Sequence, residues 1–250
     1  MARYVSETLG YSERGRGRLR RYHPQELQRV SSQFAINPKV AQQVLEYLNF
    51  RSSFLGSRVE PLLLDRLKAK KLFESLLATC SPTCSLPMNK QKGEKKHYNY
   101  LICIVNILTE KHLKGKRFND GPRSLCVFTD KTNKPVKTCS RWMDGAYPGV
   151  LNPLAIWEVK EYYGTKTFGS RVADGVYETQ LDGYEISEAQ KAGGRKIQHY
   201  LFVDDRFTWW DCGKSYLCRL VDMMHMGLVD EIIFGKEALT RWPQIVKTWP

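Results

Sequence analysis

Apolar positions recur at two different periods along this chain, and the change of period divides it. Asn37-Pro38 places a capping side chain before a proline suited to the first helical position, and Val40, Val44, Leu45 and Leu48 then form one stripe through about Phe50. A second helix is expected from Ser57, with Pro61 in its first turn, to about Thr79. Leu63, Leu67, Leu76 and Leu77 belong to its apolar set, and Arg66, Lys70 and Lys71 to the opposite face. Residues 97–113 predict a mostly apolar third helix through Leu101, Ile102, Val105 and Leu108. Beyond it, Ser124–Thr129 reads as a strand and Lys131–Pro135 as a turn. Val136–Asp144 reads as a second strand and Leu154–Lys160 as a third. Thr167 to about Ala192 reads as mostly helix, weakened by Gly175 and Gly183; Lys196–Val203 is a fourth strand, Ser215–Met226 a helix and Glu231–Phe234 a short last strand. The order α-β-β-β-α-β, then α-β, predicts an α/β fold with helices flanking a central sheet.

The first half is less regular. Residues 1–23 have no apolar periodicity and are expected to be mobile. Their Arg14, Arg16, Arg18, Arg20 and Arg21 suit either a phosphate-tracking or minor-groove arm or a solvated tail. The two helices that follow fit a helix-turn-helix reader or a plain helical subdomain. Residues 81–96 are rich in Pro, Ser, Lys and Gly and read as a linker. The expected division is therefore a basic, helical N-terminal segment over 1–93 and a core over 94–250.

Charge sharpens that division. The net charge is +13, and residues 1–117 hold 22 Lys/Arg against 9 Asp/Glu while residues 118–250 hold 17 of each. A basic half joined to a neutral, carboxylate-bearing half suits a polyanion such as nucleic acid. With 42% hydrophobic residues the chain can bury a core, which excludes global disorder. No apolar run reaches the roughly 18 residues of a membrane span, and the arginine-rich start lacks the apolar stretch of a secretory signal. Cys103, Cys126 and Cys218 lie inside apolar runs and read as small buried hydrophobes. Cys80 and Cys84 have no second close pair to complete a zinc site, and His97 and His112 are the nearest histidines.

The candidate chemistry lies between Arg141 and Tyr163. Asp144 precedes a turn-forming stretch with Gly149, Asn152 and Pro153, after which Leu154-Ala155-Ile156-Trp157 runs into Glu158-Val159-Lys160. In a strand, Glu158 and Lys160 share a face and Val159 points away. If the Asp144 strand folds back beside them, two carboxylates and an amine meet at one point, an arrangement suited to a hard divalent cation. An E-x-K triplet also arises by chance, as Glu94-Lys95-Lys96 does in a charged stretch, and the bland reading is a Glu–Lys pair at a strand end. The apolar run before Glu158 separates the two, because an isolated charge there is costly to bury. In the stretch that follows, Lys166, Thr167, Ser170 and Arg171 suit either a phosphate at a helix N-terminus or an ordinary capped start. Asp204, Asp205 and Asp211 fit loop and cap roles better than metal binding, and His225 fits the core or an interface.

In the order and spacing of these elements, residues 95–235 resemble the PD-(D/E)XK, or restriction-endonuclease-like, nuclease superfamily. Asp144 matches its acidic position on the second strand and Glu158-Val159-Lys160 its E/D-x-K on the third; Met143 stands where proline often precedes the acid. Gln180-Leu-Asp-Gly-Tyr184 is similar to the QxxxY element of the RecB-like branch, which processes DNA ends. The resemblance implies that Asp144, Glu158 and the Val159 carbonyl hold Mg²⁺, with Mn²⁺ able to substitute. Lys160 then positions or deprotonates the attacking water, and Glu110 on the first core helix is a candidate further ligand. Size and the basic N-terminal segment look most like a bacterial type II restriction endonuclease. That implies a homodimer cutting double-stranded DNA to 5′-phosphate and 3′-hydroxyl ends, in the cytoplasm at the nucleoid, alongside a methyltransferase. A repair or antiphage nuclease, possibly one acting on RNA, and a non-catalytic DNA-binding protein are the alternatives.

Overall fold

The structure is a computed structural model and describes residues 1–13, 17–32, 34, 36–91, 94–163 and 169–250. It is a mixed α/β protein built on a four-stranded sheet. The strands are β5 (Gly145–Tyr147), β6 (Ala155–Glu161), β7 (Gln198–Asp204) and β8 (Glu231–Phe234), in that spatial order. β5 is antiparallel to β6, whereas β7 and β8 run parallel to it. Parallel neighbours need a crossover, and the helix α6 (Ser170–Gly193) supplies it between β6 and β7.

Both faces of the sheet are covered, which explains why β6 is buried at six successive positions rather than at alternate ones. On one face Trp157, Val159, Tyr200 and Phe202 pack with α5 (Tyr100–Leu113), α8 (Arg241–Val246) and Trp249. α5 is buried on nearly every side, in keeping with its apolar sequence. On the other face Leu201 and Val203 meet α7 (Lys214–His225), while Ile156 meets the far end of α6. Within the first layer the Trp157 ring lies on Gly145, where an added Cβ would fall 1.9 Å from it.

The expected element order holds in outline, with local departures. The strand expected over Val136–Asp144 is divided. Its first part, β4 (Pro135–Thr138), folds back on β3 (Val127–Thr129) as a separate hairpin. Asp130 Oδ1 fixes the turn by accepting from the Thr132 and Lys134 amides at 2.7 and 3.0 Å. Only Gly145–Tyr147 joins the main sheet, because the intervening backbone is drawn toward α6: the Ser140 amide donates to Glu185 at 3.0 Å. The helix expected from Ser57 to Thr79 is also broken. Leu55–Val59 and Glu60–Leu62 are single irregular turns, and α4 (Arg66–Cys80) restarts at Asp65, whose carboxylate accepts from the Lys68 amide at 2.9 Å. Pro61 has no amide hydrogen to continue the first run, and Asp65 is the better cap. The stretch expected as a linker carries an antiparallel pair, β1 (Met88–Gln91) and β2 (Glu94–Tyr98), so the second E-x-K triplet lies on a strand.

Residues 1–23, expected to be mobile, contain α1 (Ala2–Leu9); α2 (Pro24–Ser31) follows, and the helix expected from Pro38 is present as α3 (Pro38–Phe54). Val5, Tyr22, Leu27, Val30, Leu45 and Leu48 form their shared core. The apolar positions of residues 1–23 are too few to show a period, and they become buried only against α3. Charge ties this bundle to the rest. Arg51, with 0% of its side chain exposed, donates to both oxygens of Asp222 on α7 at 2.7 and 2.8 Å and to Ser6 at 2.8 Å. C-terminal to it, α4 contributes Ala69 and Phe73 to the core that surrounds α5.

Two stability effects are expected. Arg51→Met leaves Asp222 with a buried charge it no longer neutralises and should cost about 3–5 kcal/mol in urea unfolding; a loss under 1 kcal/mol contradicts the pair's role. Gly145→Ala should cost about 1–3 kcal/mol or more, because the Cβ meets a ring that cannot move. An unchanged thermal midpoint would show that Trp157 has room.

Candidate active site

The site is set by strand register. β5 pairs Gly145 with Trp157, so the next position places Asp144 across from Glu158. Two bonds lock that placement. The Asp144 amide donates to Glu158 Oε1 at 3.1 Å, and the Val159 amide donates to Asp144 Oδ2 at 2.7 Å. Alternation along β6 then puts Lys160 on the Glu158 face, where its Nζ lies 3.1 Å from Glu158 Oε2. The structure thus brings together the three side chains singled out in the sequence.

Three further residues complete the polar network. α6 presents Glu178 and Asp182, one turn apart on the face toward β6. Lys160 donates to Glu178 at 2.8 Å; Arg141 donates to Asp182 at 2.8 Å and lies 3.0 Å from Glu158 and 3.3 Å from Glu178. Glu158 itself is only 1% exposed. A carboxylate that deep is sustainable because two cations and an amide meet its oxygens. Tight helix–strand packing makes this possible. Gly175 of α6 passes so close to β6 that a Cβ there would fall 2.6 Å from the Tyr162 hydroxyl and 3.4 Å from Lys160 Cδ.

Arg141, Asp144, Glu158, Lys160 and Glu178 line an open cleft of about 460 Å³ whose wall also includes Glu161, Asn99, Arg171 and Asp174, with Asp182 buried behind Arg141. Glu161, on the opposite face of β6 from Glu158, accepts from the Leu101 amide at the start of α5 at 2.8 Å. Its other oxygen is buried with no hydrogen-bond partner among the described residues. Burial, with the Glu158 charge adding, pushes the Asp144 carboxyl up to about 7. Burial opposes the Lys160 ammonium, but the Glu158 and Glu178 charges more than offset it and hold the pKa above the usual lysine value. Lys160 is therefore a cation here. Of the two roles expected for it, donating to an oxygen fits and accepting a proton from water does not.

Among the described residues no three acidic, histidine or cysteine side chains converge as a ready-made cage. Asp144 and Glu158 do present carboxylates side by side at the cleft, and two protein carboxylates with retained waters suit Mg²⁺. The residues fit in kind, with Arg141 and Lys160 occupying Glu158 Oε2 in this arrangement.

The other expected residues are dispersed. Glu110 is not at the cleft. It accepts from the Thr83 amide and hydroxyl near the end of α5, nine residues or about 13 Å along the helix from Leu101. Gln180 lines a separate cleft of about 490 Å³ on another side of α6, with Tyr47, Tyr177 and Tyr184. Arg171 is exposed at the cleft rim and Ser170 is exposed at the start of α6; Lys166 and Thr167 lie outside the described residues. So do Arg14 and Arg16. Arg18 and Arg21 are exposed, whereas Arg20 is ion-paired to Glu26. Asp204 accepts from the Leu64 and Asp205 amides at 2.7 and 2.9 Å and from Tyr163, and Asp205 caps Thr208, in keeping with structural roles. His225, expected in the core or at an interface, is exposed and packs its edge on Tyr47. All seven cysteines are free.

Sequence reasoning passed over Arg141, Glu161, Glu178 and Asp182. The i, i+4 spacing of Glu178 and Asp182 was a usable signal, and Glu161 extends the Glu158-Val159-Lys160 triplet by one position. Arg141 carried none, because its position follows from the irregular backbone between β4 and β5.

Fold and site together define a mixed α/β protein with a buried acid–base network opening into a cleft. The chain belongs to the family described as a domain of unknown function, DUF7687, whose model matches residues 64–249. That span contains every residue of the network. No curated protein and no solved structure matches the chain. Among the described residues no helix is long and apolar enough to cross a membrane.

Stability should respond to pH through the buried acids. Burial is the first cause in each case: it pushes Asp144, Asp182 and Asp204 up to about 7 and Glu161 up to about 8. A folded-state pKa above the unfolded value means that the folded protein holds extra protons between the two. Stability from these groups is therefore full below about pH 4 and declines as pH rises to about 8. In EDTA, the thermal midpoint should be lower at pH 8.5 than at pH 5.5. An equal or higher midpoint at pH 8.5 contradicts this.

Proposed function

We propose that the protein is a Mg²⁺-dependent endonuclease that hydrolyses phosphodiester bonds in double-stranded DNA, with a core of the PD-(D/E)XK kind. The observation that carries this reading is the pairing of Asp144 with Glu158 across β5 and β6, with Lys160 on the same face as Glu158. The sequence of α5, β5, β6, α6 and β7, with the β3–β4 hairpin inserted, supports it. So does the basic N-terminal half beside a carboxylate-lined cleft.

On this reading Asp144, Glu158 and the Val159 carbonyl would hold the divalent cation, which when bound would neutralise phosphate charge and lower the pKa of a water. Lys160, as an ammonium, donates to the attacking water or to a non-bridging phosphate oxygen and stabilises the charge that grows there. Attack of the water oxygen at phosphorus forms one P–O bond and breaks the bond to O3′; the water's proton passes to solvent in the open cleft and the 3′ oxygen takes one from solvent there, leaving a 5′-phosphate and a 3′-hydroxyl. Exposed Arg18, Arg21, Ser170 and Arg171 supply phosphate contacts. Sequence-specific cutting as a homodimer, paired with a methyltransferase in a bacterial cytoplasm, is the form of this activity that the resemblance favours.

The saturation of Glu158 by Arg141 and Lys160 favours a second reading, a DNA-binding protein in which the network is structural. Plasmid DNA incubated with the protein in Mg²⁺ and in EDTA separates them. Discrete bands only in Mg²⁺ support the endonuclease. A mobility shift without cutting, in the presence of Mg²⁺ and Mn²⁺ and on unmethylated DNA, supports the binder. Asp144→Ala, Glu158→Ala and Lys160→Ala should each reduce cleavage by about a hundredfold or more while retaining DNA affinity. A fully active Glu158→Ala protein rules this site out.

A further inference from the structure

Arg141 and Lys160 share one oxygen of Glu158. The two Arg141 terminal nitrogens lie 3.0 and 3.1 Å from Oε2, and Lys160 Nζ lies 3.1 Å from the same atom. Donors in those positions occupy the lone pairs that a metal ion would need. Glu158 Oε1 accepts from the Asp144 amide and keeps a second lone pair. A cation that takes Oε2, alone or together with Oε1, must therefore displace a resident donor. Lys160 is the harder to move: its side chain is 8% exposed and Glu178 pins it at 2.8 Å, whereas Arg141 is 26% exposed.

Arg141 also has somewhere to go. One of its terminal nitrogens already donates to Asp182 Oδ2 at 2.8 Å. The Asp182 side chain is 0% exposed, yet its Oδ1 is buried without a hydrogen-bond partner among the described residues. An unsatisfied buried carboxylate oxygen is costly, and a guanidinium fork can donate to both oxygens of one carboxylate at once. Moving from Glu158 to the second oxygen of Asp182 exchanges one charged partner for another, with Asp182 buried behind the cleft wall.

We propose, resting on the nuclease reading above, that Arg141 is an exchangeable counter-ion. It neutralises Glu158 when no divalent cation is bound and cedes Oε2 to the cation by closing its fork on both oxygens of Asp182. Asp182 is then a positioning residue that stores the displaced arginine. The exchange sets the metal affinity of the site below that of a bare pair of carboxylates. A lysine at this position keeps the charge but cannot bridge two carboxylates with a planar fork.

The test uses the full chain, stripped with EDTA, and Mn²⁺ alone as the probe, with free Mn²⁺ read by electron paramagnetic resonance and no DNA present. Arg141→Ala and Arg141→Lys should both bind Mn²⁺ about tenfold or more tightly than the unaltered protein. Asp182→Asn, which weakens the alternative berth, should bind more weakly. Unchanged affinity in Arg141→Lys overturns the exchange, since a general charge effect moves Arg141→Ala alone. If Arg141→Ala fails to fold by circular dichroism, Arg141→Lys decides. Glu158→Gln separates the two levels of the argument. If it binds Mn²⁺ as the unaltered protein does, the metal reading of the site fails and the exchange fails with it. If it loses Mn²⁺ while both Arg141 variants match the unaltered protein, only the exchange fails.

Discussion

A carboxylate buried in the middle of a sheet constrains everything around it. Glu158 sits on β6, an interior strand with helices over both faces, and a bare charge there would cost several kcal/mol. It is kept by Lys160 two residues along and by Arg141 from the segment entering β5. Those cations are held in turn by Glu178 and Asp182. The positions of α6, the β4–β5 bend and the β5 register are each required for that compensation. A fold selected only for stability would do better with apolar residues here. A polar network of this kind, open to solvent on one side, fits the proposed chemistry on a charged substrate.

The rest of the architecture supports that opening. The aromatic layer of Trp157, Trp242 and Trp249 closes the sheet on the α5 side, so β6 cannot shift without unstacking three rings. On the opposite side α7 receives the N-terminal bundle through Arg51 and Asp222, a second buried ion pair that orders a segment with few apolar contacts of its own. Apolar packing thus fixes register at the centre, and charge pairing fixes orientation at the edges. The cleft lies where the two regimes meet.

Asp144 and the Glu158-Val159-Lys160 run were legible because they interrupt or end apolar patterning, and alternation along a strand has only two outcomes. The helices α3, α5, α6 and α7 were legible from their periods. Glu110, a candidate ligand or a helix-end charge, is the latter, because composition names a helix but not which end of it faces the sheet; the α5 start, with Leu101 against Glu161, is the end that does. α1 and α2 were missed because their apolar faces are narrow and are satisfied only against one another and α3.

The linear order of residues determined by itself the element types, the strand faces and the identity of three polar groups able to share a point, since these depend on contacts between near neighbours. It also determined the concentration of positive charge in the first half. Only tertiary structure decided that β4 leaves the main sheet, that Arg141 turns inward and that Glu178 and Asp182 oppose Glu158. Each of those follows from long-range compensation of buried charge, and no local pattern encodes how far a side chain lies from a partner that another element delivers.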